Sequence, residues 1–330
     1  MAVQTLPPLY DAYVREQRRL TRDAVAEVRR LWRKMGDDFD RSWRSVGPAV
    51  LTVTNATQHR LAENAGAATV EVLEQTSAAR LPAPEGRVNP RALVGVAGDG
   101  RTAAGLVFGA VTKAKASVGA GLTERQALLS GLAWLTMATT TLLADTARAG
   151  ESVGMATRGT VSYVRVVQPG ACARCAILAG ATYKSKDAFE RHPGCLCEHM
   201  PVHGMDYSEI VDRGYMVSPE NYFESLSEAE QNRIFTNAGA EAIRNGADPR
   251  QVVNARRGMH VAQGRQVTTE GTTRRGLAYR VMGGPSREDV RRGRYFARND
   301  ARLMPESIVE MAGGNTHRMQ QLLRQYGYII

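Results

Sequence analysis

All four cysteines and three of the six histidines fall between residues 172 and 203. They read Cys172-x2-Cys175, sixteen intervening residues, then His192-x2-Cys195-x-Cys197-x-His199, with His203 beyond. Cys-x2-Cys turns two thiolates toward one ion, His-x2-Cys makes a second such knuckle, and a tetrahedral zinc site needs four ligands of these types. The expected set is Cys172, Cys175, Cys195 and Cys197, with His192 as the alternative to one of the last two. A closed four-ligand zinc site is structural, and it stabilises a short, loop-rich segment that has little core of its own. Three other arrangements use the same residues. Two disulfides are one, although a cytoplasmic product keeps its thiols reduced. A thioredoxin-like redox pair is another, although it leaves the second knuckle unexplained. Unligated buried cysteines are the third.

The elements that position this cluster are mostly helices. Tyr10, Tyr13, Val14, Gln17, Ala24, Val28, Leu31, Trp32 and Met35 follow helical spacing, with arginines over much of the other surface, which predicts a long amphipathic helix. A second helix is expected from about 48 to 79, its stripe rich in small residues that let a partner approach closely. Residues 80–90 read as a loop from their prolines and glycine, and 91–121 as helix with glycine breaks. Thr123-x2-Gln126 offers a capping box for an uncharged helix that ends near Arg148. Its run Gln126–Ala144 approaches the length of a membrane span, but its serine and threonines favour a buried bundle helix. Residues 161–167 read as a strand leading into the cysteines. Later helices are expected to open at Ser225–Glu228, Asp248-Pro249 and Pro305. The expected class is mainly α, α+β. Residues 1–150 form a helical domain, 151–215 a small zinc-stabilised α+β module, and 216–330 a helical, arginine-rich region.

Charge is concentrated rather than spread. The chain of 330 residues carries +10, and lysine occurs at only five positions (34, 113, 115, 184 and 186), leaving 38 arginines. A GC-rich coding genome accounts for the preference itself. Its distribution needs a physical reason. Residues 1–35 carry +4, residues 36–243 carry −3, and residues 244–302 carry +9 from 14 arginines and 5 acids. Such a segment suits a polyanion, because guanidinium forks match phosphate oxygens. Arg256, Arg257, Arg274, Arg275, Arg291, Arg292 and Arg294 are the candidate nucleic-acid contacts, without sequence preference. A solvated face or an acidic partner protein are the competing readings. The first residues lack a basic and apolar leader pattern, so synthesis in the cytoplasm is expected.

Here the sequence resembles a known family. A strand entering Cys172-Ala-Arg-Cys175, then Ala-Gly, then His192-Pro193-Gly194-Cys195-Leu196-Cys197, resembles the signature of phage head-morphogenesis proteins similar to the F protein of phage Mu. The resemblance covers roughly residues 130–205. Leu196 stands where that family usually has arginine. A looser resemblance to minor capsid proteins of actinobacterial phages extends over the chain. It rests on Leu31-Trp32 with Asp38-Phe39-Asp40-Arg41-Ser42-Trp43, on residues 253–259 and 269–276, and on the end at 326–329.

The resemblance implies a non-enzymatic virion component inside the head near the portal. Its implied partners are the portal protein, the major capsid protein and packaged double-stranded DNA, with no membrane. A zinc-supported nuclease is the alternative, with His192, His199 and His203 as base or ligands, although Asp187, Glu190 and Glu198 form no recognisable nuclease signature. A host-directed DNA-binding regulator is a third reading, without a clear helix-turn-helix signal.

Overall fold

A computed structural model describes residues 4–159, 161–167, 170–185, 187, 192, 195, 197–284, 290–292, 294–297 and 301–329. The class is mainly α with small sheets, as expected. The chain forms two compact units, Gln4–Gln168 with Gly180–Met216, and Pro169–Ala179 with Val217–Ile330.

In the first unit, helix α1 (Pro8–Trp32) buries Tyr10, Tyr13, Val14, Gln17, Leu20, Ala24, Val28, Leu31 and Trp32. Its arginine-bearing face is laced with exposed ion pairs, Arg15 to Asp11, Arg19 to Glu16 and Asp23, and Arg30 to Glu27. Three of the eight basic side chains of residues 1–35 are thereby paired within the helix. Helix α2 (Phe39–Thr76) starts nine residues before the expected proline, so Pro48 lies inside it. The reason is the cap at Asp38, which accepts from Arg41 N at 2.9 Å, and an apolar stripe that begins at Phe39 and continues through Val46 and Val50. After a 3-10 turn at Pro90–Leu93 come α3 (Ala103–Gly119) and α4 (Glu124–Ala156), the latter opened by the predicted Thr123–Gln126 capping box.

Helix α4 is long and apolar enough to cross a membrane by length and composition. In this fold it packs along α1, α2 and α3, burying Ala127, Gly131, Leu135, Ala138, Leu142 and Leu143. Its glycines allow the close approach that the small stripe of α2 anticipates: a Cβ on Gly150 would lie 2.8 Å from Ala65 Cβ, and one on Gly154 would lie 3.1 Å from Thr69 Cβ. Gln58 of α2 pins the turn before α3, donating to Leu93 O and Val96 O and accepting from Gly95 N.

Strand β1 (Ser162–Val167) pairs antiparallel with β2 (Thr182–Lys184) on one side and β3 (Cys197–Val202) on the other. The one-turn helix between them, α5 (Ala173–Ala176), belongs to the second unit. Val164, Val166, Met200 and Val202 join Tyr10, Tyr13, Val14, Ala65 and Val72 in one core. That shared core groups the strands with the helices, so the units differ from the three-part division at 150 and 215. Helix α6 (Tyr207–Asp212), capped by Asp206, closes the unit.

The second unit continues with α7 (Pro219–Glu224), α8 (Glu228–Phe235), α9 (Asn237–Arg244) and α10 (Pro249–Ala255). Ser227 caps α8 and Asp248 caps α10, as their sequence signals predict. A small sheet follows, with order β4 (Met259–Ala262), β5 (Arg265–Thr268), β8 (Arg302–Leu303). Between β5 and β8 lie α11 (Leu277–Val281) and the hairpin β6 (Val290–Arg292) with β7 (Tyr295–Ala297). Helix α12 (Pro305–Ala312) ends at Gly313, a left-handed cap, and α13 (Thr316–Gln325) completes the fold. The region expected to be helical thus adds short strands to its helices.

Candidate metal centre

Each knuckle is organised by its own backbone. Cys172 is the N-cap of α5, and its carbonyl accepts from Cys175 N at 2.9 Å and Ala176 N at 3.0 Å. That single turn brings the thiols of Cys172 and Cys175 to 3.7 Å. In the second knuckle, Cys195 N donates to His192 O at 3.1 Å, and Cys197 opens β3 opposite Val167 of β1. Cys175, Cys195 and Cys197 are buried, while Cys172 and His192 are partly exposed. Pro193, Gly194, Leu196 and Glu190 lie outside the described residues.

The ligand atoms of Cys172, Cys175 and His192 lie within 4.8 Å of one another, and so do those of Cys175, Cys195 and Cys197. All five expected ligands therefore appear, with Cys175 common to the two groups. These groups could hold a metal ion. None of the four cysteines is in a disulfide. Thiol sulfurs with an imidazole nitrogen, mostly buried and brought together by short turns, are a donor set that fits a thiophilic ion.

Family membership is decided by comparison over the same stretch of chain: the VG15 protein family matches residues 7–229. The chain belongs to the VG15 protein family. VG15 is a viral gene family, and the match takes in the helical bundle, the three-stranded sheet and every candidate ligand. No curated protein and no solved structure matches the chain.

Around Cys195 and Cys197 this VG15 member buries a set of charges that the sequence alone did not single out. Arg148 of α4 donates through Nε to Cys197 O at 2.7 Å and through Nη2 to Cys195 O at 2.6 Å, while Nη1 meets Asp145 Oδ1 at 3.0 Å. Glu198 Oε2 lies 3.5 Å from Arg148 Nε. Burial opposes the charge on Arg148, but Glu198, Cys195, Asp145 and Glu151 outweigh it, and the pKa of Arg148 is raised. Arg165, buried on β1, donates to Cys197 Sγ at 3.4 Å. Burial first, and then repulsion from Glu198, push the Glu151 carboxyl well above the usual carboxylate range. A signal for this set exists: Asp145, Arg148 and Glu151 recur every third residue where the uncharged run of α4 ends, on one helix face.

Of the three histidines assigned to the nuclease alternative, His192 belongs to a ligand group, whereas His199 and His203 do not. His199 is buried on β3, its ring 4.4 Å from that of Tyr163 and its Nδ1 3.8 Å from Glu151 Oε2. His203 follows β3 and pairs its backbone with Ser77 at the end of α2. Glu198 is buried, and Asp187 is exposed.

The candidate nucleic-acid arginines separate by environment. Arg256 is ion-paired with Glu306 and donates to Thr236 Oγ1 at 2.9 Å, so it ties the 3-10 turn Arg256–Gly258 to α12. Arg257, Arg274, Arg275, Arg291 and Arg294 are exposed, and the side chain of Arg292 lies outside what the structure describes. Arg274 stacks over Phe296, 4.6 Å from the ring centroid, and Phe296 is the hairpin partner of Arg291. Directly opposed residues of an antiparallel pair share a face, so Arg291, Phe296 and Arg274 form one surface. Arg302, counted in the same basic segment, is fully buried. It donates to Tyr326 O, Glu270 O, Gly327 O and Gln251 Oε1, with its guanidinium 4.1 Å from the Tyr328 ring centroid.

Proposed function

We propose that this VG15 protein is a head-morphogenesis or minor capsid protein of a tailed phage, of the kind similar to the F protein of phage Mu. It acts as a non-enzymatic adaptor inside the head near the portal. The observation that carries this reading is membership of a viral gene family across residues 7–229, a match that encloses the Cys-x2-Cys and His-x2-Cys-x-Cys knuckles. The metal is structural zinc, held by four ligands drawn from Cys172, Cys175, Cys195, Cys197 and His192. It stiffens a segment whose strands are only three to six residues long. The helical bundle supplies contacts to portal and major capsid protein.

The surface of Arg274, Arg275, Arg291 and Arg294 meets packaged double-stranded DNA without sequence preference. Stacking on Phe296 orients the Arg274 guanidinium before it meets phosphate, which lowers the entropy lost on binding. Burial of His199 and Glu198 favours the adaptor over the nuclease alternative, because neither side chain is presented to a substrate.

Mass spectrometry of purified particles tests the assignment. The chain is expected at low copy number in DNA-filled heads, and its absence from particles overturns the virion reading. Incubating plasmid with the purified protein and magnesium or manganese should leave the plasmid intact. Cleavage that disappears in His199→Ala would establish the nuclease instead.

A further inference from the structure

Two buried arginines reach the second knuckle from elements that carry no ligand. We infer that Arg148 and Arg165 are positioning residues for the metal, Arg148 by fixing the ligand turn and Arg165 by holding a positive charge against a ligand sulfur. The inference rests on the reading that the cysteines bind a metal. All of its geometry lies within the first unit.

Arg148 spends each of its three nitrogens on a defined partner. Nε and Nη2 span the carbonyls of Cys197 and Cys195, the two thiol ligands of the knuckle, and Nη1 meets Asp145 one turn back along α4. Two parallel donors in one plane define the separation and orientation of those carbonyls, which a point-charge ammonium cannot do. The Cys195–Cys197 turn is thereby anchored to a 33-residue helix rather than to its own short loop. Arg165 stands opposite His199 in the β1–β3 register, and its Nη2 reaches Cys197 Sγ at 3.4 Å.

A site with three or four thiolates around a divalent ion carries net negative charge. A buried guanidinium beside one of those sulfurs compensates it where water cannot. Groups that orient and polarise metal ligands from outside the coordination sphere typically govern affinity by about 10- to 100-fold. A merely structural role would balance Asp145, Glu151 and Glu198 by charge alone, and any cation would serve.

The test uses the full-length chain with Zn2+ or Co2+ alone, affinity being read by competition with a chromophoric chelator. Circular dichroism and melting in chelator monitor the metal-free fold. Arg148→Lys keeps the charge but loses the fork, and is expected to bind Zn2+ about 10- to 100-fold more weakly while its metal-free melting stays close to wild type. Arg165→Met is expected to weaken binding within the same range and to shift the sulfur-to-cobalt charge-transfer band. If Arg165→Met does not fold, Arg165→Lys, with a single-point donor, is expected to shift that band. Wild-type affinity in Arg148→Lys with an unshifted cobalt spectrum in the Arg165 variant overturns the inference and leaves the metal reading intact. A wild-type chain that takes up no metal overturns both.

Discussion

Replacing Glu151 by glutamine should stabilise the protein, and by an amount that grows with pH. Glu151 is almost fully buried on α4, with Glu198, Arg148, Tyr13 and His199 around it. Burial and the Glu198 charge raise its pKa well above the ordinary glutamate value, more than Tyr13, Arg148 and the His199 backbone lower it. The folded chain therefore keeps a proton that the unfolded chain releases above about pH 4.3. Stability contributed by that proton is complete below the unfolded pKa and is lost as pH rises toward the folded one. The loss is about 1.4 kcal/mol for each pH unit within that window. Glu151→Gln keeps the shape and removes the titration. The difference in unfolding free energy, variant minus wild type, should climb by about 1.4 kcal/mol per pH unit above pH 5 until the folded pKa is reached. Urea denaturation of both proteins at closely spaced pH values measures it, and groups common to both cancel. Parallel curves would refute the reasoning. A variant that becomes progressively weaker than wild type as pH rises would mean that Glu151 is ionised and held by His199 and Arg148.

Three further outcomes follow from the packing and the charged surface. A Cβ on Gly131 would lie 2.5 Å from a Trp32 ring carbon and 2.9 Å from Ala110 O. Gly131→Ala should therefore cost about 1–3 kcal/mol in denaturant titrations. Arg302→Met strips four acceptors of their donor inside the second unit, and it should lower stability by at least about 2 kcal/mol. Removing Arg274, Arg275, Arg291 and Arg294 together should weaken binding to unrelated duplexes about equally, and should reduce the salt slope by about 0.9 for each phosphate that is no longer neutralised. An unchanged slope would assign that surface to a protein partner.

The candidate ligands were legible in the sequence because coordination chemistry restricts both residue type and spacing: two thiols three residues apart meet on one turn wherever that turn lies. The capping box at Thr123 was legible for the same local reason, whereas the helix expected to open at Ser225–Glu228 is capped by Ser227 with Glu230. Pro48 misled because proline suits a first turn, whereas Phe39, Val46 and Val50 bury the preceding residues and extend the helix backward. Arg148, Arg165 and Glu151 escaped because their burial depends on a sheet folding back onto α4; the every-third-residue spacing of Asp145, Arg148 and Glu151 marks a charged helix face but not what covers it. Arg302 and Arg274 look alike in a chain rich in arginine. Only the fold distinguishes the one that braces the C-terminal turn from the one that faces outward.

Metal content of the purified full-length chain is the most direct test of the account. The proposed zinc site predicts one tightly bound zinc per chain, retained through gel filtration and lost in Cys172→Ser and in Cys197→Ser. A native chain that is free of metal, with all four thiols open to modification, would contradict it.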